Sequence, residues 1–207
     1  MAFGSTRSSY PTGPKVARLW PEWETHAKTL GLTPSQQRFA RAFFTGANCL
    51  LTGEAGTGKS YLTQALVAFL TKHGVRVGVS ALTGVAAFNV GGQTLHSFAG
   101  VGLADEPVSN LLQRIYKNRK AKERIEAVDV LFIDEVSMAK GDLLDKVSEV
   151  FKVIRYNDTP WGGVQLVLSV DWLQLPPVFK GDETQEMAFQ SQAWREAKIQ
   201  TIVLKEQ

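Results

Sequence analysis

From residue 31 onward, short apolar runs alternate with stretches whose apolar residues recur every three or four positions. The pattern begins at Thr33-Pro34-Ser35-Gln36, where Thr33 suits a helix N-cap, Pro34 the first turn and Gln36 the reciprocal bond of a capping box. A helix to about residue 44 is predicted, then a buried strand over 48–52, a glycine-rich turn over 53–60 and a helix from 60 to about 73, closed near Gly74. Further apolar strands are predicted over 75–81, 128–133 and 164–169, with helices near 84–89, 108–126 and 141–154. A helix near 187–197 and a strand over 200–204 complete the series. Such an alternation specifies an α/β fold: a mostly parallel sheet with helices on both faces. No internal repeat or low-complexity segment interrupts it.

Residues 1–30 lack this periodicity and are expected to form a flexible tail. Arg7, Lys15 and Arg18, with no acid before Glu22, give it a faint likeness to a mitochondrial presequence, but Gly4, Pro11, Gly13 and Pro14 break any amphipathic helix there. Residues 31–207 are expected to form one domain.

Composition narrows the class without identifying a partner. With 44% hydrophobic and 21% charged residues among 207, a folded core is expected, not a disordered chain. The net charge of +3 is only mildly basic, so any polyanion must be met by local clusters. Cys49 is the one cysteine, and His26, His73 and His96 are scattered, which excludes an intramolecular disulfide and leaves no zinc spacing. No apolar run approaches the roughly 18 residues of a membrane span. An intracellular protein with no membrane partner is expected.

The turn after the first strand carries the sharpest chemistry. Gly53-Glu54-Ala55-Gly56-Thr57-Gly58-Lys59-Ser60 fits the P-loop pattern and lies between a predicted strand and a predicted helix, the context its physics requires. Glycines let successive backbone N–H groups curl around phosphate oxygens, and the positive end of the following helix adds to that field. Lys59 is assigned to the β- and γ-phosphates and Ser60 to Mg²⁺. Residues 53–60, with Tyr61 next in the chain, form the candidate ATP-binding segment.

A second strand end supports the first. Val130-Leu131-Phe132-Ile133 runs into Asp134-Glu135, placing two carboxylates at the edge of the sheet where ligands of such folds bind. Asp134 is the candidate Mg²⁺-side carboxylate, and Glu135 the candidate that orients and deprotonates the attacking water.

Residues 82–98, Leu82-Thr83-Gly84-Val85-Ala86-Ala87-Phe88-Asn89-Val90-Gly91-Gly92-Gln93-Thr94-Leu95-His96-Ser97-Phe98, follow the second strand. Asp171-Trp172-Leu173-Gln174-Leu175-Pro176-Pro177-Val178 follows the fourth. With residues 53–60 and Ile133-Asp134-Glu135-Val136-Ser137-Met138, these segments resemble the first motor domain of the Pif-type DNA helicases of superfamily one, which move 5′ to 3′ on single strands. The resemblance runs from about residue 32 to 207 and rests on several motifs in the family's order.

The resemblance implies a RecA-like P-loop ATPase domain that uses ATP and Mg²⁺ and has single-stranded DNA as its partner. It makes Gln36 a reader of the adenine edge, beside its capping role, and Gln174 a catalytic glutamine that senses the γ-phosphate and couples it to the strand. Thr83-Gly84 and residues 91–98 become the single-strand contact region, with Thr94 and His96 on phosphates. Phe98 either shelters or stacks a base or belongs to the core. The six basic residues between Arg114 and Arg124 form either a positive stripe or a solvated helix face. Trp161, Trp172, Trp194 and Phe189 are expected to pack the sheet and its helices.

Two departures qualify the likeness. The family usually has Gly-Asp where Val170-Asp171 stands, and the valine is expected to shift Asp171 and the loop carrying Gln174, weakening the coupling. The chain also stops about where the family enters its second motor domain, so that domain and its γ-phosphate arginines are expected in cis or in trans. An arginine finger is worth roughly 10³–10⁵ in turnover, so this chain alone should be a slow ATPase. The leading expectation is an ATP-dependent helicase motor domain serving DNA repair, recombination or telomere maintenance. The alternative is a nucleotide-gated DNA-binding module without translocation, and a third is a RecA-like ATPase that remodels protein.

Overall fold

A computed structural model of the chain describes residues 15–171, Pro177 and residues 186–206. The chain runs α1 (Trp20–Ala27), α2 (Pro34–Phe44), β1 (Cys49–Gly53), α3 (Lys59–Lys72), β2 (Val77–Ala81), α4 (Gly84–Asn89), β3 (Gln93–Thr94) and α5 (Leu95–Ala99). It continues with α6 (Val108–Lys117), α7 (Arg119–Ala127), β4 (Val130–Asp134), α8 (Gly141–Arg155), β5 (Gln165–Val170), α9 (Gln192–Glu196) and β6 (Gln200–Leu204). The six strands form one all-parallel sheet in the order β3-β2-β4-β5-β1-β6.

Strand alternation divides the core in two. Leu131 and Ile133 of β4, with Leu166 and Leu168 of β5, face α5 to α9 and join Leu95, Ile115, Ile125, Val147 and Phe151. Val130, Phe132 and Val167 point the other way and pack with Phe39, Phe43, Leu62 and Leu66 of α2 and α3. The two sets differ by one residue along each strand, as the two-residue period requires. Both faces being covered, the strands carry apolar side chains almost throughout. Cys49 is wholly buried, and burial pushes its thiol up to about 12, which keeps it an inert protonated core residue.

The amino edge of the sheet is tied shut by side-chain amides. Asn48 donates to the Ala197 carbonyl at 2.8 Å and accepts from Leu166 N at 2.7 Å, which aligns β1 with both neighbours. Gln165 Nε2 donates to the carbonyls of Phe43 and Ala47, each at 2.8 Å.

The capping box before α2 forms as the sequence implies: Thr33 N donates to Gln36 Oε1 at 3.0 Å, and Gln36 N to Thr33 Oγ1 at 3.4 Å. The expected helix over 108–126 is instead two. Asn118 leaves helical geometry at φ −102°, ψ 83°, and its side chain accepts from Ala121 N at 3.2 Å, capping α7. A side chain that offers this bond competes with the continuing helix and starts a new one. The helix expected over 187–197 shortens to a single turn at Ala188–Gln190 followed by α9, which Ser191 caps.

The expectation of a flexible tail is corrected from residue 15 onward. Lys15 pairs with Asp129 at 2.6 Å, Val16 is buried, and α1 lays Trp23 against Phe44 and Phe69 at centroid distances of 5.4 and 5.1 Å. Trp23 is only 1% exposed. Burying an indole this fully offsets part of the cost of ordering the eight residues of α1. Trp23→Ala is therefore expected to cost about 3–5 kcal/mol of stability, read as a lower denaturant midpoint in equilibrium unfolding. A midpoint equal to the wild type would mean that α1 contributes nothing to the core.

Candidate nucleotide site at the carboxyl edge

Because every strand runs the same way, Gly53 of β1, Ala81 of β2, Asp134 of β4 and Val170 of β5 end on one edge. The loop over 53–60 rises there. Gly56 and Gly58 take φ of +86° and +80°, left-handed values that side chains disfavour. At Gly58 space forbids one as well, since a Cβ would fall 2.5 Å from Gln36 Nε2. Glu54, Ala55 and Gly56 are exposed, whereas Thr57 is buried with its hydroxyl on the Glu54 carbonyl at 2.8 Å.

Lys59 opens α3 and folds back into this loop. Its Nζ donates to the carbonyls of Gly53 at 2.5 Å and Glu54 at 3.0 Å, and lies 4.0 Å from Asp171 Oδ2. The ammonium is thus held by two neutral carbonyls inside a loop of glycines, with the Asp171 carboxylate further off. Val170 is the residue before Asp171. It continues β5, paired with Thr52, and is buried in the core.

Gln36 is buried to 5% exposure and spans two elements, with Oε1 on Thr33 N and Nε2 donating to the Thr57 carbonyl at 3.3 Å. These bonds leave one Nε2 proton and one Oε1 lone pair uncommitted by them, the donor and acceptor that an adenine edge requires. Tyr61 is half-exposed, and its hydroxyl donates to the Leu30 carbonyl at 3.0 Å, tying the segment before α2 to the start of α3.

Ser60 and Asp134 line the same cavity, about 170 Å³, together with Gln64, Val79 and Ser169. A hydroxyl and a carboxylate facing one space suit a hard cation. Glu135, the next residue, is left-handed at φ 54°, ψ 39°. Holding a glutamate there costs about 1–3 kcal/mol, and such strain concentrates at functional sites. Its Oε2 accepts from Thr83 Oγ1 at 3.2 Å. Gln174 lies outside the described residues.

The segment expected to touch a single strand divides. Thr83 caps α4 by accepting from Ala86 N at 3.2 Å, and Gly84 beside it is exposed. Thr94 caps α5 by accepting from Ser97 N at 3.2 Å. His96 is half-buried, and burial lowers its pKa below the ordinary 6.5.

Phe98 is a correction. It is 4% exposed, stacks on Phe151 at 6.5 Å and lies under the Arg124 guanidinium at 5.6 Å. Gly78 of β2 makes the room, since a Cβ there would fall 2.6 Å from Phe98 Cζ. Among the described residues the most exposed aromatic on this edge is Phe88 of α4, 85% exposed beside Val85 at 75%. Its position, four residues past the Gly84 turn, was the available signal.

The basic segment is largely spent on local contacts. Arg114 bonds the Val101 carbonyl, Arg119 and Lys122 pair with Glu123 and Glu126, and Arg124 donates to the carbonyls of Ser97 and Phe98. Among the expected packing aromatics, Trp161 is buried, Phe189 is 48% exposed, and Trp172 lies outside the described residues.

A phosphate-type loop between β1 and α3, with paired carboxylates at the end of β4 of a parallel sheet, defines an α/β domain of the RecA-like P-loop class. The chain belongs to the PIF1-like helicase family, whose sequence profile matches residues 37–207. It is 44% identical over 191 residues to the ATP-dependent DNA helicase PIF1 of Candida albicans, covering 87% of this chain and 21% of that protein. Among solved structures, the Pif1 helicase from Candida albicans superposes with a TM-score of 0.79 at 45% identity, over 84% of this chain and 40% of that one. The Pif1 helicase from Bacteroides, solved in complex with ADP-AlF3 and ssDNA, superposes with a TM-score of 0.72 at 29% identity, over 84% and 42%. The chain thus spans 20% to 30% of the length of the curated relatives it matches.

The half-buried His96 makes a prediction about pH. Its folded pKa is lowered, so below the ordinary 6.5 the unfolded chain binds the extra proton first and stability falls with acidification through the folded value. Denaturant unfolding between pH 7.5 and about 5 should show this acid-side loss reduced in His96→Gln. An identical pH profile in both proteins would remove His96 from the balance.

Proposed function

We propose that this chain is the first motor domain of an ATP-dependent DNA helicase, which hydrolyses ATP at the loop over 53–60 and uses the cycle to change its grip on single-stranded DNA. The observation that carries the reading is the convergence on one edge of the glycine loop with Lys59, of Asp134 and Glu135, and of Thr83 at the head of α4. Backbone N–H groups of the loop and Lys59 bind and orient the phosphates. Ser60 and Asp134 would hold Mg²⁺, which supplies neutralisation of phosphate charge when bound. Among the described residues no cluster of three or more His, Cys, Asp and Glu exists, so the remaining ligands of such an ion would be phosphate oxygens and water. Glu135 accepts the proton of the attacking water. Gln36 reads the adenine edge, and Gln174 senses the γ-phosphate.

On the DNA side, Thr83, Gly84 and Thr94 meet phosphates, and Phe88, in place of Phe98, offers its face to a base. Movement 5′ to 3′ requires a second motor domain, in cis or in trans, that closes on the nucleotide. Work in DNA repair, recombination or telomere maintenance, in the nucleus and mitochondrion of a eukaryote or the cytoplasm of a bacterium, fits this activity. Among the described residues no helix is long and apolar enough to cross a membrane.

Two measurements test the reading. In steady-state ATPase assays with and without single-stranded DNA, Lys59→Ala should lose Mg-ATP binding or turnover by more than about ten-fold. In the same assays Glu135→Gln should keep ATP bound while turnover falls by at least about 10². Wild-type turnover in both variants would refute the site. In equilibrium binding to oligo(dT) at fixed salt, Phe88→Ala should weaken affinity by roughly 1–3 kcal/mol, about 5- to 150-fold. An unchanged isotherm would take α4 out of the strand path.

A further inference from the structure

The hydroxyl of Thr83 has one proton to give. It gives that proton to Glu135 Oε2, 3.2 Å away, while the same oxygen accepts from Ala86 N at 3.2 Å. The two bonds fix the rotor, its lone pair toward α4 and its proton toward the carboxylate. Strand register brings the two residues together. Ala81 pairs with Asp134, so Thr83 and Glu135 leave adjacent strand ends two residues and one residue further on. Glu135 meets the hydroxyl from a left-handed backbone, which its surroundings must hold in place.

We infer that Thr83 is a positioning residue: it restrains Glu135 at rest, and a phosphate of single-stranded DNA at the head of α4 releases the glutamate by taking over the Thr83 proton. This rests on the reading of the edge as an ATPase coupled to a single strand. A carboxylate oxygen held by the Thr83 hydroxyl is turned toward that hydroxyl and must leave it before it can be aimed at a water. A phosphodiester oxygen is a competing acceptor of suitable chemistry, anionic and without a proton of its own. Approach is open on that side, because the neighbouring Gly84 is exposed and even an added Cβ there would meet nothing within 4 Å. One proton cannot serve two acceptors, so strand contact and restraint of Glu135 exclude each other at this atom. No covalent bond changes in the switch. The proton stays on Thr83 Oγ1 and its hydrogen bond moves from carboxylate to phosphate, after which Glu135 is free to accept the proton of the attacking water.

The test is the ATPase rate of the full chain over a range of Mg-ATP, with and without oligo(dT), in Thr83→Val and Thr83→Ser. Valine keeps the branched shape and lacks the proton, whereas serine retains it. Thr83→Val should raise the DNA-free kcat about ten-fold, the scale of a lost hydrogen bond to a charged group, with KM for ATP unchanged and little further gain from DNA. Thr83→Ser should behave as the wild type. A DNA-free kcat in Thr83→Val that is unchanged or lower overturns the restraint. A wild-type chain that binds oligo(dT) with no rise in kcat overturns the release. A flat oligo(dT) isotherm overturns the single-strand reading beneath it, and is distinguished because the DNA-free comparison still decides the restraint.

Discussion

A parallel sheet covered on both faces leaves few places for polar chemistry, and this constraint shapes the whole domain. Val130 to Ile133 of β4 and Leu166 to Leu168 of β5 are claimed by one core or the other, so on β4 a carboxylate is tolerated only where the strand leaves the sheet. Asp134 and Glu135 stand at that exit. Parallel direction then carries the exits of β1, β2, β4 and β5 to the same edge, and order in the sheet sets which of them are neighbours. β2 beside β4 puts Thr83 within reach of Glu135, and β1 beside β5 puts Asp171 4.0 Å from Lys59. Residues far apart in the chain meet because the strands that deliver them are adjacent.

The two edges are treated differently. At the amino edge, side chains are used up in closing the structure: Asn48 and Gln165 bind carbonyls of neighbouring segments, and Arg155 donates to the carbonyls of Ile125, Glu126 and Val128 at 2.7 to 3.0 Å. At the carboxyl edge the polar groups lie in the loops that leave the strands. The Lys59 ammonium rests on neutral carbonyls and Glu135 on a hydroxyl. An edge built to hold an incoming anion has to keep its strong donors in bonds that an anion can displace.

How much of this was legible in the sequence follows from where the information lies. The strands, the capping box and the P-loop depend on local pattern, so Thr33, Gln36, residues 53–60 and the Asp134-Glu135 pair were readable from their own neighbours. The break at Asn118 was missed because an unbroken helical period crosses it, and only the side-chain bond to Ala121 N reveals a new start. α1 was missed because eight residues beside prolines and glycines carry little periodicity, and what orders them is a pocket between Phe44 and Phe69. Whether Phe98 was core or surface stayed open for a similar reason, and Phe88 carried no reading of its own. Both follow glycine-bearing turns, and the missing side chain at Gly78, on a neighbouring strand, decides which ring is swallowed.

The register of β6 on β1 sets Leu204 beside Gly53, so close that a Cβ on the glycine would fall 2.7 Å from the Leu204 carbonyl. Glu206, two residues further, accepts from the Ser35 hydroxyl in the turn that carries Gln36. In mechanical terms β6 is a tie rod. Load applied along it is carried in shear by five parallel residue pairs and arrives at the first residue of the phosphate loop, while its far end bears on the turn at the other side of that loop. The last strand thus ties the first residue of the phosphate loop to the helix turn that carries Gln36, on the other side of that loop.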